Sequence, residues 1–427
     1  MRNRRKTRRN SNRIKELIEN KKFRRTVSVL LSIIFVCAVI LVILNIIDNL
    51  KLQSQRKKLQ ESNEKIFSLV DKKILGDGVV DENGKVDETK VYRASISAVG
   101  DILCNEALLE DGKNNNGTYS FSQMFTNVRK FVEEADVTLG TMETNFIDGQ
   151  EYRGVGKYNS PIEFLNAVKG SGVDVISIAH NHALDFGSAG LAETNAKLKN
   201  GGFYLVGEKG EKFSGIIKRV NNIKIAFVGY TYGLSNENEV TPYDRALVNI
   251  YSDELAKADL DYAMANSDFI ICIMHWGDVN SSNISDEQRQ ITDFLIANGA
   301  DMILGSHPAV VETMEMKKGA DGRDVLVAYS LGNYISSLSY EDANVELILN
   351  MEIVKTNEMK KAVLDIVDYT PIYVLDNGKD AENRYVLEDM KQLAIDYTNG
   401  DRSKIDRQTY DKIIEKLDKL NRLVNGE

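Results

Sequence analysis

A succession of short, β-branched apolar runs separated by helical stretches constrains this chain's fold more than any other feature. Ala94–Asp101 alternates into an apolar run that stops at a Gly-Asp pair. The same grammar returns in Val173–Ala179, Lys224–Gly229, Asp268–Met274, Ala300–Leu304 and Asp324–Tyr329, and a further strand is expected over Asn344–Val354. Runs of this length and composition suit strands covered on both faces. Helical periodicity fills the intervals at Ile162–Lys169, Leu191–Lys199, Asp253–Asn266 and Asp286–Asn298. Strand and helix in alternation predict a layered α/β domain, expected over residues 92–376. Residues 377–427 change character: Ala381–Tyr397 and Ser403–Val424 are charged and helical in period, and are expected to pack on the domain or stand as a solvated tail.

A second feature concerns the N-terminal end. Residues 1–25 hold twelve Lys/Arg against two acids, a net +10 that leaves −19 for the remainder of a chain whose total is −9. The next 22 residues, Thr26–Ile47, carry no charge and are dense in Ile, Leu and Val. At ~1.5 Å per residue this run reaches about 33 Å, enough to cross a hydrocarbon core of ~30 Å. Its length, and the lack of an Ala-x-Ala pattern after it, predict an uncleaved transmembrane helix rather than a signal peptide. The basic block then stays cytoplasmic, in contact with the lipid bilayer, and the rest of the chain lies outside a cell membrane crossed once. Residues 48–91, polar and with Gly76, Gly78 and Gly84, read as a stalk. The acidic body excludes nucleic acid as the main ligand, because phosphate backbones are met by Lys and Arg. With Cys37 in the apolar run, only Cys104 and Cys272 remain, too few for a disulfide framework.

The chain has only four histidines, His180, His182, His275 and His307, and each sits just beyond the end of a predicted strand. Ligand sites of α/β sheets lie at those ends. Asp101 ends the first run, Glu143 follows Val137–Met142, and Asp185 follows His182 by three residues. Asp101, Glu143, Asn181, His275 and His307 together supply the carboxylate, amide and imidazole ligands that bind a divalent metal, with Mn, Fe, Zn and Mg all compatible. His182, between Asn181 and Asp185, is placed to donate a proton to a leaving oxygen, with Asp185 orienting its ring. His180, Trp276 and Asn333 are further candidates for the pocket. Taken singly, each residue has an ordinary role open to it: Asp101 as a helix cap, Glu143 as a loop charge, Asn181 in a turn, Trp276 in wall packing, Asn333 in shaping the turn at Gly332. There is no Gly-x-Ser-x-Gly, no phosphate-binding Gly-rich loop ending in Lys-Ser/Thr, and no zinc-type cysteine pair, which disfavours those chemistries.

Six short motifs occur in order: Ala98–Ile102 (Ala-Val-Gly-Asp-Ile), Leu139–Thr144 (Leu-Gly-Thr-Met-Glu-Thr), Asp174–Gly187 around His180-Asn181-His182, His275-Trp276-Gly277, Gly305-Ser306-His307-Pro308 and Ser330-Leu331-Gly332-Asn333. In this the chain resembles the capsule-biosynthesis A (poly-γ-glutamate biosynthesis) family over roughly Ser95–Ser337. That resemblance implies a calcineurin-like metallophosphoesterase fold, a layered β-sandwich flanked by helices and preceded by one transmembrane helix. It implies that Asp101, Glu143, Asn181, His275 and His307 are metal-site positions and that His182 and Asp185 belong to an Asn-His-x-x-Asp motif. It also implies a role in making or exporting poly-γ-glutamate at the cell surface, beside other membrane subunits of a synthesis machine. Three positions depart from the expected pattern. Leu103 stands where metallophosphoesterases carry the His of Asp-x-His, Ala309 where the family has the second His of His-Pro-His, and His180 where an Asn is usual. Two lost imidazoles leave one metal ion, or weak binding, as the expectation.

Three functions therefore compete. The chain is a surface component of polymer synthesis or export, a metal-dependent hydrolase of an envelope phosphoester or amide, or a non-catalytic binding domain with a decayed site. An outer domain of net −19 repels an anionic polymer over a Debye length, so polymer contact requires a local basic patch or a bridging metal.

Overall fold

The structure, a computed structural model, describes residues 90–425. They belong to a compact unit spanning 88–427. The expected basic tail, transmembrane helix and nearly all of the stalk lie outside the described residues. Among the described residues, no helix is long and apolar enough to cross a membrane.

The strands in chain order are β1 (Val91–Ile102), β2 (Val137–Met142), β3 (Val175–Ser177), β4 (Tyr204–Val206), β5 (Gly215–Val220), β6 (Ile223–Thr231), β7 (Phe269–His275), β8 (Met302–Ser306), β9 (Met314–Lys318), β10 (Asp324–Ala328), β11 (Asn333–Ile335), β12 (Val345–Thr356), β13 (Val363–Asp376) and β14 (Tyr385–Asp389). They form two mixed sheets. The first runs β14-β13-β12-β1-β2-β3-β4, with β11 pairing β1, and the second runs β5-β6-β7-β8-β10-β9. β1, β2, β3 and β4 are mutually parallel, as are β6, β7, β8 and β10.

Period-two alternation explains the layering. In the first sheet Ala94, Ile96, Ala98, Val137, Leu139, Val175, Leu347 and Leu349 point inward. From the second sheet Ile225, Phe227, Ile271, Ile273, Met302 and Leu304 join the same buried cluster, so the sheets pack face to face. The intervening residues of β6, β7 and β8 (Ala226, Val228, Ile270, Cys272, Met274, Ile303) point outward and are covered by Leu260 and Ala263 of helix Asp253–Asn266 and by Ile291 and Leu295 of helix Asp286–Ala297. Helix Asp286–Ala297 begins at a capping box formed by Ser285 and Gln288. On the outer side of the first sheet, Ile176 and Ile348 meet Phe164 and Leu165 of helix Ile162–Gly170 and Leu198 of helix Gly187–Asn200. The result is the expected layered α/β sandwich with helices on both outer faces.

Two expectations change, and a third is narrowed. Val173–Ala179 is a strand only over Val175–Ser177; Ile178 and Ala179 are buried but already belong to the loop that carries His180. Ala381–Tyr397 is not one helix: Tyr385–Asp389 is β14, paired with β13, and the helix begins at Met390, capped by the Asp389 side chain. Of the two roles expected for the C-terminal helices, packing on the domain is the one observed. Met390, Leu393, Tyr397, Ile413 and Leu420 enter the central core.

Candidate metal centre

All the strands that carry candidate residues deliver them at one edge, where the two sheets face each other. Asp101 is the last residue but one of β1, Glu143 follows β2, and His180, Asn181 and His182 follow β3. Across from them His275 ends β7, and His307 follows β8. The Gly-Asp and Leu-Gly-Asn motifs meet here: Asp101 N–H donates to Gly332 O at 3.1 Å, and a Cβ on Gly100 would sit 1.8 Å from that same oxygen. Only glycine allows this approach of β1 to β11.

Glu143, His275 and His307 are buried, and each offers a ligand atom within 4.8 Å of the others. Asn181 Oδ1 lies 2.9 Å from His275 Nε2, and Glu143 Oε1 lies 3.9 Å from the same nitrogen. The far side of the His275 ring faces Ser306 and Asp101. Nδ1 lies 3.2 Å from Ser306 Oγ, which itself donates to Thr141 Oγ1 at 3.2 Å and so keeps a lone pair for an Nδ1–H. With the proton on Nδ1, Nε2 is free to face a cation beside the Asn181 oxygen and the Glu143 carboxylate; with no cation present, an Nε2–H donating to Asn181 Oδ1 satisfies the same 2.9 Å contact. The Asn181 amide is oriented independently, because its Nδ2 donates to Ser235 Oγ at 2.7 Å. The Asn181 oxygen, the Glu143 carboxylate and the His275 ring thus converge at a buried point, an arrangement that a cation stabilises.

His307 Nδ1 is buried with no hydrogen-bond partner. Burial, reinforced by His275 and His182, pushes the His307 imidazole down to about 2, so it is neutral and able to ligate. Burial, with Asp101 and Asp185 adding repulsion, holds the Glu143 carboxyl well above the usual range. Accumulated negative charge of this kind is relieved by a metal. The residues present therefore fit a divalent ion, which Glu143, Asn181, His275 and His307 would hold. Such an ion supplies Lewis-acid polarisation of a substrate oxygen or of water.

Asp101 stands on the other side of the His275 ring. Its Oδ1 lies 3.3 Å from Nδ1, and its Oδ2 accepts the backbone N–H of His307 at 2.6 Å. His307 has φ +100°, a conformation that costs a non-glycine residue energy and that the Asp101 hydrogen bond holds in place. His182 Nδ1 lies 3.0 Å from Asp185 Oδ2, and Asp185 Oδ2 also accepts the backbone N–H of Tyr158 at 3.0 Å. The Tyr158 ring meets His182 edge-on at 4.4 Å.

The remaining candidates sit elsewhere. His180 is fully buried, its Nδ1 accepts the His182 N–H at 3.2 Å, and burial together with His275 and His182 keeps it well below its ordinary value. It supports the turn as a neutral ring. Trp276 is buried in the core outside the second sheet, stacked on Tyr329 and donating its indole N–H to Tyr329 O at 2.9 Å. Its ring therefore packs and does not line the pocket. Asn333 donates to Ala309 O at 3.3 Å and to Ser336 Oγ at 3.0 Å, which assigns it to shaping the loop. Cys104 is buried in the apolar cluster on the outer side of the first sheet with Leu108, Phe121 and Phe164, so it does not stand in for the imidazole absent at Leu103.

Sequence reasoning passed over Thr141, Ser306, Tyr158, Tyr232 and Ser235. Thr141 and Ser306 lie inside two of the six motifs and were open to inference. Tyr232, whose ring is 4.9 Å from that of His307, and Ser235 come from the loop after β6, which carries no motif.

Comparison with known proteins gives consistent relatives. A capsule biosynthesis protein CapA of Bacillus anthracis is 24% identical over 287 residues, covering 64% of this chain and 67% of that protein. A PGA biosynthesis protein CapA of Bacillus subtilis (strain 168) is 24% identical over 382 residues, covering 83% of this chain and 97% of that protein. Among solved structures, a phosphatase of Mycoplasma pneumoniae aligns with a TM-score of 0.40 and 13% identity over 73% of this chain and 99% of its own. The family model described as bacterial capsule synthesis protein PGA_cap matches residues 95–338, and the chain belongs to that family.

Proposed function

We propose that this protein is a membrane-anchored component of poly-γ-glutamate capsule synthesis or export, working outside the membrane through one divalent-metal centre. The observation that carries the reading is the convergence of Asn181 Oδ1, His275 Nε2 and Glu143 on one buried point, in a chain of this family. The charge-free run over 26–47 behind a basic block supports the anchor and its orientation. Mixed oxygen and nitrogen ligands suit Mn, Fe or Zn, with Mg less favoured by the two imidazoles. At such a centre His182, oriented by Asp185, holds the proton needed by a leaving oxygen or nitrogen, so the substrate class is a phosphoester or amide of the polymer or envelope. Other membrane subunits of the synthesis machine are the expected partners. Deleting the protein in a producing strain is expected to reduce surface polymer, with wild type but not His275→Ala restoring it. Unchanged polymer after deletion contradicts the reading.

One observation favours a second reading. Leu103 is buried and apolar, and Ala309 offers no ligand, so half of a two-metal site is missing. If the site has decayed to a binding surface, Asp101→Ala and His275→Ala both leave polymer at the wild-type level.

A further inference from the structure

We propose that Ser235, His182 and Asp185 form a nucleophilic triad beside the metal centre, acting on the carbonyl of an ester or amide. Ser235 Oγ lies 3.4 Å from His182 Nε2, and His182 Nδ1 lies 3.0 Å from Asp185 Oδ2. This is the connectivity that activates a serine: hydroxyl to imidazole, imidazole to buried carboxylate. Such hydrogen bonds are commonly long in the absence of substrate. Gly-x-Ser-x-Gly is absent from the chain, but that elbow belongs to one fold, and the triad is recognised by geometry and roles.

Each member is held in place. Asp185 is buried and carries the second hydrogen bond from Tyr158 N–H, while the Tyr158 ring stands edge-on to His182. The serine loop is pinned by Ser235 N–H donating to Asn181 O at 2.8 Å and by Asn236 Nδ2 donating to Leu184 O at 2.9 Å. Asn181 Nδ2 donates to Ser235 Oγ at 2.7 Å. That donor occupies one lone pair of the oxygen and leaves its proton free to face His182 Nε2. Ser235 is exposed, so a substrate carbonyl reaches it from solvent.

The step balances without a further reagent. This step starts with His182 Nε2 unprotonated, the opposite of its state as the acid at the metal centre: the Ser235 oxygen bonds to the carbonyl carbon, and its proton passes to His182 Nε2. The carbon–nitrogen or carbon–oxygen bond then breaks, the proton goes to the departing amine or alcohol, and the acyl group remains on Ser235. Water or a second amine attacks this ester, gives its proton to His182, and restores the serine. The substrate class is an acyl compound, hydrolysed or transferred to an amine.

The test is adduct formation by the purified full chain with a fluorophosphonate probe, located by peptide mass spectrometry. Attack by Ser235 forms an oxygen–phosphorus bond and expels fluoride. The expected result is an adduct on Ser235, absent in Ser235→Ala, formed roughly 10²-fold or more slowly in both His182→Ala and His182→Gln, and unaffected by prior chelation. No adduct on Ser235, or one formed at the same rate in both His182 variants, overturns the proposal. An adduct that requires a metal overturns the claim of an independent serine chemistry. The chelation arm also separates this proposal from the metal reading, which fails on metal content alone.

Discussion

Asp101 Oδ2 accepts the backbone N–H of His307 at 2.6 Å, joining the end of the first strand of one sheet to the loop after a strand of the other. Through it, a residue with φ +100° is held where its imidazole faces the centre. Asp101→Ala leaves that buried N–H without a partner and is expected to cost about 1–3 kcal/mol of stability in chemical denaturation. Asp101→Asn keeps an acceptor oxygen and is expected to cost clearly less. Equal losses in the two variants would show that the hydrogen bond does not hold the loop.

The Ser306 hydroxyl reaches the metal site through the His275 ring. Ser306→Ala leaves Asp101 Oδ1, 3.3 Å away, as the remaining group facing Nδ1 and relaxes the ring, and metal affinity measured by competition with a chelating dye is expected to fall about 10–100-fold. An unchanged affinity would place the control of ring orientation elsewhere.

Gly100→Ala tests the contact between the Gly-Asp and Leu-Gly-Asn motifs. The added carbon would lie 1.8 Å from Gly332 O, a backbone atom, so the strands must separate. A loss of at least about 3 kcal/mol is expected. Gly170→Ala, where no atom lies within 4 Å of the added carbon, is the control and is expected to shift stability by about 0.5 kcal/mol or less.

Glu312 makes stability depend on pH. Its side chain is buried with only Gln288 Nε2 donating to it, at 2.8 Å, and burial pushes the carboxyl from 4.5 up to about 8. Between those values the folded chain keeps a proton that the unfolded chain has released, so stability falls as pH rises and levels off above about 8. At about 1.4 kcal/mol per pH unit the effect is of the order of a few kcal/mol. Glu312→Gln is expected to match wild type near pH 4 and to exceed it at pH 8 in denaturation midpoint. A constant difference across this range would contradict the assignment.

The sequence carried the layered architecture because the inward and outward residues of β6, β7 and β8 alternate cleanly between two apolar sets. Asp253–Asn266 was legible to the residue because serine caps it and Ala256, Leu260 and Ala263 recur at helical spacing. β13 was not, since the first half of Val363–Asp376 is largely exposed and mixes Asp365, Ile366, Val367 and Asp368 without a two-residue period. β14 was hidden in a charged stretch that reads as helix, because pairing to β13 and not local propensity decides it. In the site, strand-end histidines and acids were readable from position alone. Ser235 was not, because its role depends on a loop folding back onto Asn181, and no local spacing encodes that contact. Trp276 misled for a related reason: its neighbour His275 faces the centre, and alternation along the chain sends the next side chain to the opposite face.

The central claim is that Glu143, Asn181, His275 and His307 hold a divalent metal. Its most direct test is the metal content of the purified full chain beside His275→Ala, by elemental analysis after exchange into metal-free buffer. The account predicts about one divalent ion per wild-type chain, in keeping with the ligands absent at Leu103 and Ala309, and its loss in the variant. No retained metal in either protein, or equal metal in both, would contradict it.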